Sequence, residues 1–409
     1  MIVQGVERFT YPSPEVVECP YPFYEALRDD APVHRLPDGT WLVSRWEDVV
    51  RVVRDPETFS CDIGPINDQI LGGPRVGGDA SGPWPLPFTD GDRHREQRSF
   101  CAKVVVRDRL RWYEPRIARL VDELIDGFAA QGTVEFRSAF AAPLPRRVMM
   151  ETFGFPREDE QDFVRWTSGQ GPVGSKLASP EEQAAEQQRR LELGEYFRTK
   201  ILERREQPTD DFLSEIVEIQ VARDGELDLP YLLAEVANLF AAGNGTTAHM
   251  LASTMLLLLQ HPAELDRIRE DRSLIPTMLE EALRLESPVQ WLQRIVTTDA
   301  EVAGVTIPAG SLVLVVWGSA NRDQRKFEDP ERFQIDRPSV GKFQTAFGYG
   351  IHMCVGAPLA RLEGRIAFER LLDRLTNLRL IDTERVTHIP NINQRAPAAV
   401  HVAFDEARA

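Results

Sequence analysis

The chain has 409 residues, 42 % of them hydrophobic, and a formal net charge of −16, which excludes nucleic acid as a general partner. Its four cysteines (Cys19, Cys61, Cys101, Cys354) lie far apart without a CxxC pair, which excludes a disulfide framework and a zinc site. No linker, low-complexity block or repeat divides the chain, so residues 1–409 read as a single large domain, mainly α with small β-sheets and a minor β-rich region. The first residues carry no signal peptide or apolar anchor, and the longest apolar run, Met250 to Leu259, is too short to span a bilayer. These features predict a cytoplasmic protein without a membrane anchor.

Pro22 to Asp29 predicts a short helix. Val33 to Leu36 and Trp41 to Ser44 alternate across Pro37-Asp38-Gly39, a hairpin signal. Trp46 to Arg54 is helical and stops before Pro56. From Cys61 to Phe88 glycines and prolines crowd in, as in a functional lid or a surface excursion. Arg93 to Leu110 then predicts a basic helix in an acidic chain. His94 and Arg98 lie four apart on one face, where an imidazole and a guanidinium suit a pair of carboxylates or simply a solvated surface. Arg93, Arg95, Lys103, Arg107, Arg109 and Arg111 make either a docking patch for an acidic partner or ordinary surface charge. Tyr113 to Phe128 and Pro143 to Phe153 read as helices, Trp166 to Ser179 as a break, and Glu181 to Glu206 as a charged helix. Thr209-Asp210-Asp211 caps the next one.

Pro230 to Gln260 predicts a helix of roughly 45 Å, apolar on most sides and hence buried. Its middle reads Ala242-Gly243-Asn244-Gly245-Thr246-Thr247. A glycine inside a helix costs about 1 kcal/mol against alanine, so the pair marks either a functional site or close helix packing. Thr246 can hydrogen-bond back to a carbonyl and open the helix locally. Further on, Glu281 and Arg284 stand at i,i+3 on one helix face, and Val302 to Val316 carries strand patterns around Gly304 and Pro308-Ala309-Gly310. The stretch Phe347-Gly348-Tyr349-Gly350-Ile351-His352-Met353-Cys354-Val355-Gly356 delivers one sulfur at the start of an apolar helical pattern. A helix N-terminus favours a negative sulfur, as a metal thiolate requires. A buried structural cysteine in a Gly-rich turn is the alternative.

The pattern Phe347-x-x-Gly350-x-His352-x-Cys354-x-Gly356 resembles the heme-ligand loop of the cytochromes P450, and four motifs in matching order extend the resemblance over nearly the whole chain. It implies the cytochrome P450 fold and heme b (iron protoporphyrin IX), with Cys354 as the axial ligand of the iron and Phe347 and Gly348 in the loop around it. His94, Arg98, Arg294 and His352 are the implied propionate contacts. Glu281, Arg284 and Arg332 match a buried triad that holds the cysteine loop. Gly243, Asn244, Thr246 and Thr247 fall on the catalytic segment of the central helix, with Thr246 near proton delivery. The family pattern has an acid where this chain has Gly245, which puts the usual acid–alcohol proton relay in doubt. Gln290, Trp291, Leu292, Ala242 and Asn393, the last in the turn 391–398, are the implied substrate contacts. The loop after Cys61 matches a pocket-lining loop, and the break 166–179 a lid.

The resemblance is to soluble bacterial members of the family. It implies a monomeric monooxygenase that inserts one atom of O2 into an apolar organic small molecule by hydroxylation or oxidative dealkylation. Electrons would come from a ferredoxin-type donor with its reductase, at the face of Cys354 and the basic helix. Gly245 keeps other heme-thiolate chemistries open (peroxygenase, dehydratase or nitric-oxide-reducing), as well as a non-catalytic sensor.

Overall fold

The computed structural model describes residues 5–62, 83–105, 107–167, 179–381 and 386–407. The chain gathers into two compact units, one of Met1–Cys61, Glu114–Leu144 and Thr246–Ala409, the other of Asp62–Tyr113 and Pro145–Gly245. Most of the Gly/Pro-rich stretch (63–82) and of the expected lid (168–178) lies outside the described residues.

The larger unit holds the sheets. The expected hairpin forms from Val33–Arg35 and Trp41–Val43, with Val33 opposite Val43. The second strand continues in parallel onto Leu312–Val315, which pairs antiparallel with Leu292–Val296 and places Arg294 opposite Val313. Phe59–Ser60 closes the five-stranded sheet. Branched residues that alternate along these strands (Val43, Val296, Val313, Val315) pack on Val49, Val52, Val53 and Trp317 to form one core. Phe23, Leu27, Leu42, Trp291 and Leu314 form a second. A smaller sheet orders Thr133–Glu135, His401–Glu406 and Leu375–Leu380, and Ala300–Val302 pairs with Val305–Ile307.

The smaller unit is helical around an aromatic cluster. Phe163 stacks 4.7 Å from Phe240, and Phe153, Phe155, Tyr196, Phe197 and Phe212 surround the pair. Pro180–Glu206 starts with a full capping box between Ser179 and Glu182. Asp211 caps Phe212–Asp224 by accepting from the Ser214 amide at 2.7 Å. The basic helix expected over 93–110 is instead two. Gly91–Cys101 ends in a 3₁₀ turn, Ala102–Val105, and Arg107–Asp126 begins anew. The break coincides with Val104-Val105-Val106, a β-branched run of low helix propensity.

The central helix is α over all of Leu229–Gln260. No described helix is long and apolar enough to cross a membrane.

Candidate active site

Among the described cysteines, Cys61 and Cys101 are buried while Cys19 and Cys354 are exposed, and only Cys354 opens a helix from a glycine-rich loop. A cysteine that is not in a disulfide is ordinarily among the most buried residues, and Cys354, directly after exposed Ile351 (45 %) and Met353 (44 %), makes with them a surface suited to an apolar cover. The loop is built to hold the sulfur still. Gly348 and Gly350 both take φ of +71°, open to glycine without strain, and a Cβ on Gly350 would stand 2.9 Å from the Val53 carbonyl. Tyr349 packs edge-on against Trp46, whose indole N–H donates to the Phe343 carbonyl at 2.8 Å. The Cys354 amide donates to the Phe347 carbonyl at 2.7 Å. Gly356 then starts the helix Ala357–Arg374, and a Cβ there would lie 3.9 Å from Cys354 Sγ, so the sulfur sits by the first turn where a thiolate is favoured. His352 is half-buried in the same loop.

Arg294 supplies a second mark of a missing anion. It is 4 % exposed, and its hydrogen bond is a single one from Nη1 to the Gln293 carbonyl at 2.6 Å. No carboxylate pairs with it among the described residues, whereas buried Arg284, Arg322, Arg337 and Arg395 all have one, and buried Arg28, which also has none, donates instead to Ser319 and Gln324. A buried guanidinium without a counter-charge is costly, and a heme propionate is a fitting counter-charge. An exposed sulfur with apolar flanks and a buried cation lacking an anion both fit heme. In the smaller unit, His94 is 2 % exposed and Arg98 half-buried, one turn apart on Gly91–Cys101. Of the proposed docking charges, Arg109 is drawn into an ion pair with Glu215, and Arg95 into one with Asp92.

On the central helix the open positions form a stripe. Ala234, Asn238, Ala241, Ala242, Gly245 and Thr246 are exposed or half-buried at spacings of three and four, on a helix that is elsewhere mostly buried. Ala242 and Thr246 therefore lie on the accessible face. Asn244 (6 % exposed) and Thr247 (4 %) point into packed protein instead. Gly243 has a packing reason: a Cβ there would meet Met149 Sδ at 2.7 Å. Asn244 and Thr247 are thus turned off the open stripe, while Gly243 is half-buried like Gly245 and Thr246 and packs on Met149.

The triad is also corrected. Glu281 and Arg284 are fully buried and bidentate, at 2.7 and 2.8 Å. The third member is Arg337, whose Nε donates to both Glu281 oxygens at 3.0 Å. Arg332 is exposed, and its part is its backbone carbonyl, which accepts from Arg284 at 3.2 Å and Arg337 at 3.0 Å. The remaining guanidinium hydrogens go to the carbonyls of Asn321, Glu328, Asp329 and Pro330. The triad so ties down the irregular segment 321–337, and among the described residues its hydrogen-bonded link toward the cysteine loop runs through Asn321, whose Oδ1 accepts from Thr345.

Among the expected substrate contacts, Leu292 (37 % exposed) is accessible, but Gln290 (3 %) and Trp291 (6 %) are framework. The Trp291 ring lies in a core cluster and its Nε1 donates to the Ile392 carbonyl at 2.8 Å. The Gln290 amide donates to the Asn393 carbonyl at 2.7 Å, and Asn393 Nδ2 to the Trp291 carbonyl at 2.5 Å. Both residues precede the strand Leu292–Val296 and are bonded to the turn at Ile392–Asn393, which holds them in packed protein. Sequence reasoning missed Arg337, Met149, Glu280, Gln344 and Arg361. Only Arg361 carried a local signal, being on the helix that follows Cys354.

A family model described as Cytochrome P450 matches residues 184–391. The chain is similar to cytochrome P450 107B1 of Saccharopolyspora erythraea, 37 % identical over 369 residues, covering 87 % of this chain and 88 % of that one. It is 34 % identical to the cytochrome P450 monooxygenase PikC of Streptomyces venezuelae, covering 95 % and 92 %. Among solved structures, CYP109E1 of Bacillus megaterium in complex with testosterone superposes with a TM-score of 0.86 at 30 % identity, covering 96 % of this chain and 99 % of that one. Exposed cysteine, buried unpaired arginine, open helix stripe, fold and relatives agree: the chain belongs to the cytochrome P450 family of heme b monooxygenases.

Proposed function

We propose that the protein inserts one atom of O2 into an apolar organic small molecule, by hydroxylation or oxidative dealkylation, with electrons from a separate ferredoxin and reductase in the cytoplasm. The observation that carries this is the exposed Cys354 sulfur at the start of a helix, on a loop held by Gly350 and Phe347. Cys354 would ligate the heme iron from the loop that Phe347 and Gly348 shape, Arg294 and His352 would meet propionates, and the family resemblance gives His94 and Arg98 that same role. Heme b on a thiolate supplies dioxygen activation and oxygen transfer. The chain's own residues bind, orient and protonate. Small side chains at Ala241, Ala242 and Gly245 leave room along the open stripe. A relative's structure with testosterone supports a substrate of that bulk and polarity.

Thr246 is the hydroxyl on the stripe that passes protons, and Gly245 offers no carboxyl beside it. A carboxyl on the substrate or an ordered water chain takes that place. The reading predicts a thiolate-type spectrum for the reduced carbon monoxide complex, abolished in Cys354→Ala. A screen of apolar compounds for displacement of the iron-bound water gives ligands. Incubation with ferredoxin, reductase and isotopically labelled dioxygen must then put one labelled atom into the product. Hydroxylated product without the label, or product formed with peroxide but none with dioxygen and the electron donors, refutes the monooxygenase assignment; in a dealkylation the label is sought in the carbonyl fragment released.

A further inference from the structure

Glu280 stands one residue before the triad's carboxylate and serves a different segment. Its Oε1 accepts from Arg361 Nε at 2.6 Å, and its Oε2 accepts from Arg361 Nη2 at 3.2 Å and from Gln344 Nε2 at 2.9 Å. A Cβ on Gly341 would stand 3.3 Å from Glu280 Cγ and Oε2, so a third element closes on the carboxylate. Both partners lead to the cysteine loop. Gln344, 4 % exposed, accepts the Ala346 amide on Oε1 at 2.6 Å. The Arg361 guanidinium lies 4.5 Å from the Phe347 ring centroid. The Phe347 carbonyl in turn accepts the Cys354 amide. One carboxylate therefore fixes the entry to the loop through Gln344 and the loop's first residue, Phe347, through Arg361.

We propose that Glu280 is a positioning residue for the Cys354 ligand, acting through Gln344 and Arg361, while Glu281 next to it orders the segment 321–337. The division follows from helix geometry, since adjacent residues on Ile275–Leu285 point about 100° apart. A bidentate, charge-assisted pair is directional enough to set the plane of Arg361 over Phe347. Groups one bond removed from a metal ligand tune its orientation and basicity. The proposal rests on Cys354 being the heme ligand.

The test uses the heme-loaded full chain with Glu280→Ala, Glu280→Gln, Arg361→Ala and Gln344→Ala. Readouts are the reduced carbon monoxide spectrum and the midpoint reduction potential. Glu280→Ala is expected to retain heme but to exchange much of the thiolate-type band for the thiol type, Arg361→Ala and Gln344→Ala each in part. Glu280→Gln, which keeps an acceptor, restores the band. Removing the negative charge in Glu280→Gln raises the potential and removing the positive one in Arg361→Ala lowers it. A parent-like band and potential in Glu280→Ala, even with a lowered melting temperature, overturns the proposal. So do potential shifts of the same sign in the two charge variants. If Glu280→Ala does not fold, parent-like spectra in both Arg361→Ala and Gln344→Ala overturn it. Cys354→Ala with an intact thiolate band would instead refute the ligand assignment.

Discussion

Removing Glu281 should come close to unfolding the larger unit. In the folded chain its side chain is wholly buried and accepts from Arg284 twice, from Arg337 twice and from the Gln334 amide at 3.0 Å. Glu281→Ala leaves two buried guanidinium groups without a counter-charge. Breaking one such pair costs about 3–5 kcal/mol, against a total stability of roughly 5–15 kcal/mol. With a urea dependence of about 3 kcal/mol per molar, that loss lowers the unfolding midpoint by more than about 1 M. Arg337→Ala keeps the Arg284 pair and should fall at about the lower end, near 3 kcal/mol. Arg332→Ala removes only an exposed side chain and spares the carbonyl that the triad uses, so it should stay within about 0.5 kcal/mol of the parent. Urea titration of the heme-loaded protein, followed by tryptophan fluorescence and heme absorbance together, ranks the three. If Arg332→Ala lost as much as Arg337→Ala, the assignment of the third triad member would be wrong.

Three other outcomes are expected. Gly243→Ala pushes a methyl into Met149 Sδ at a cost of about 1–3 kcal/mol, less about 1 kcal/mol returned by alanine's helix propensity, and the Gly243→Ala/Met149→Val double variant should be more stable than the sum of the two single changes; additive effects by thermal melting would contradict the contact. Burial lifts the Glu235 carboxyl to about 7, against weaker opposition from the Cys101 thiol, which donates to it at 3.3 Å, and from the Leu86 amide and Arg93. An acid whose folded pKa is raised favours folding below its unfolded value and loses that contribution as pH rises toward 7. Glu235→Gln should therefore gain on the parent between about pH 4.5 and 7, by up to about 3 kcal/mol, and a gap independent of pH in urea titrations would contradict the buried acid. Gly245→Glu restores an acid beside Thr246 and should change the fraction of electrons that end in product; identical coupling to the parent would show that this position carries no proton.

Much of the site could be read from the chain because its signals are local. Ten consecutive residues carry the Cys354 loop, glycines and all, and the helix that begins after it follows from the apolar pattern beyond Gly356. The central helix, the capping box at Ser179, the cap at Asp211 and the Val33–Val43 hairpin are likewise short-range consequences of sequence. Periodicity also implied that one side of the central helix differs from the rest, but not which residues that side includes.

Where residues distant in sequence must meet, local pattern has no purchase. Arg332 and Arg337 are both arginines in one irregular segment without a period, and only the path of the chain, turning at Asp329 (φ 43°), decides that the second reaches Glu281. Gln290 and Trp291 look like pocket residues beside Leu292, yet their bonds to Ile392 and Asn393, about a hundred residues on, make them framework. Gly243 answers to Met149 on another helix, and Glu280 to Arg361 eighty-one residues later. The sequence by itself determined the thiolate loop, the helices and the cofactor. The tertiary structure alone decided which side chains stand behind that loop, because their partners are chosen by packing across the fold and not by spacing along the chain.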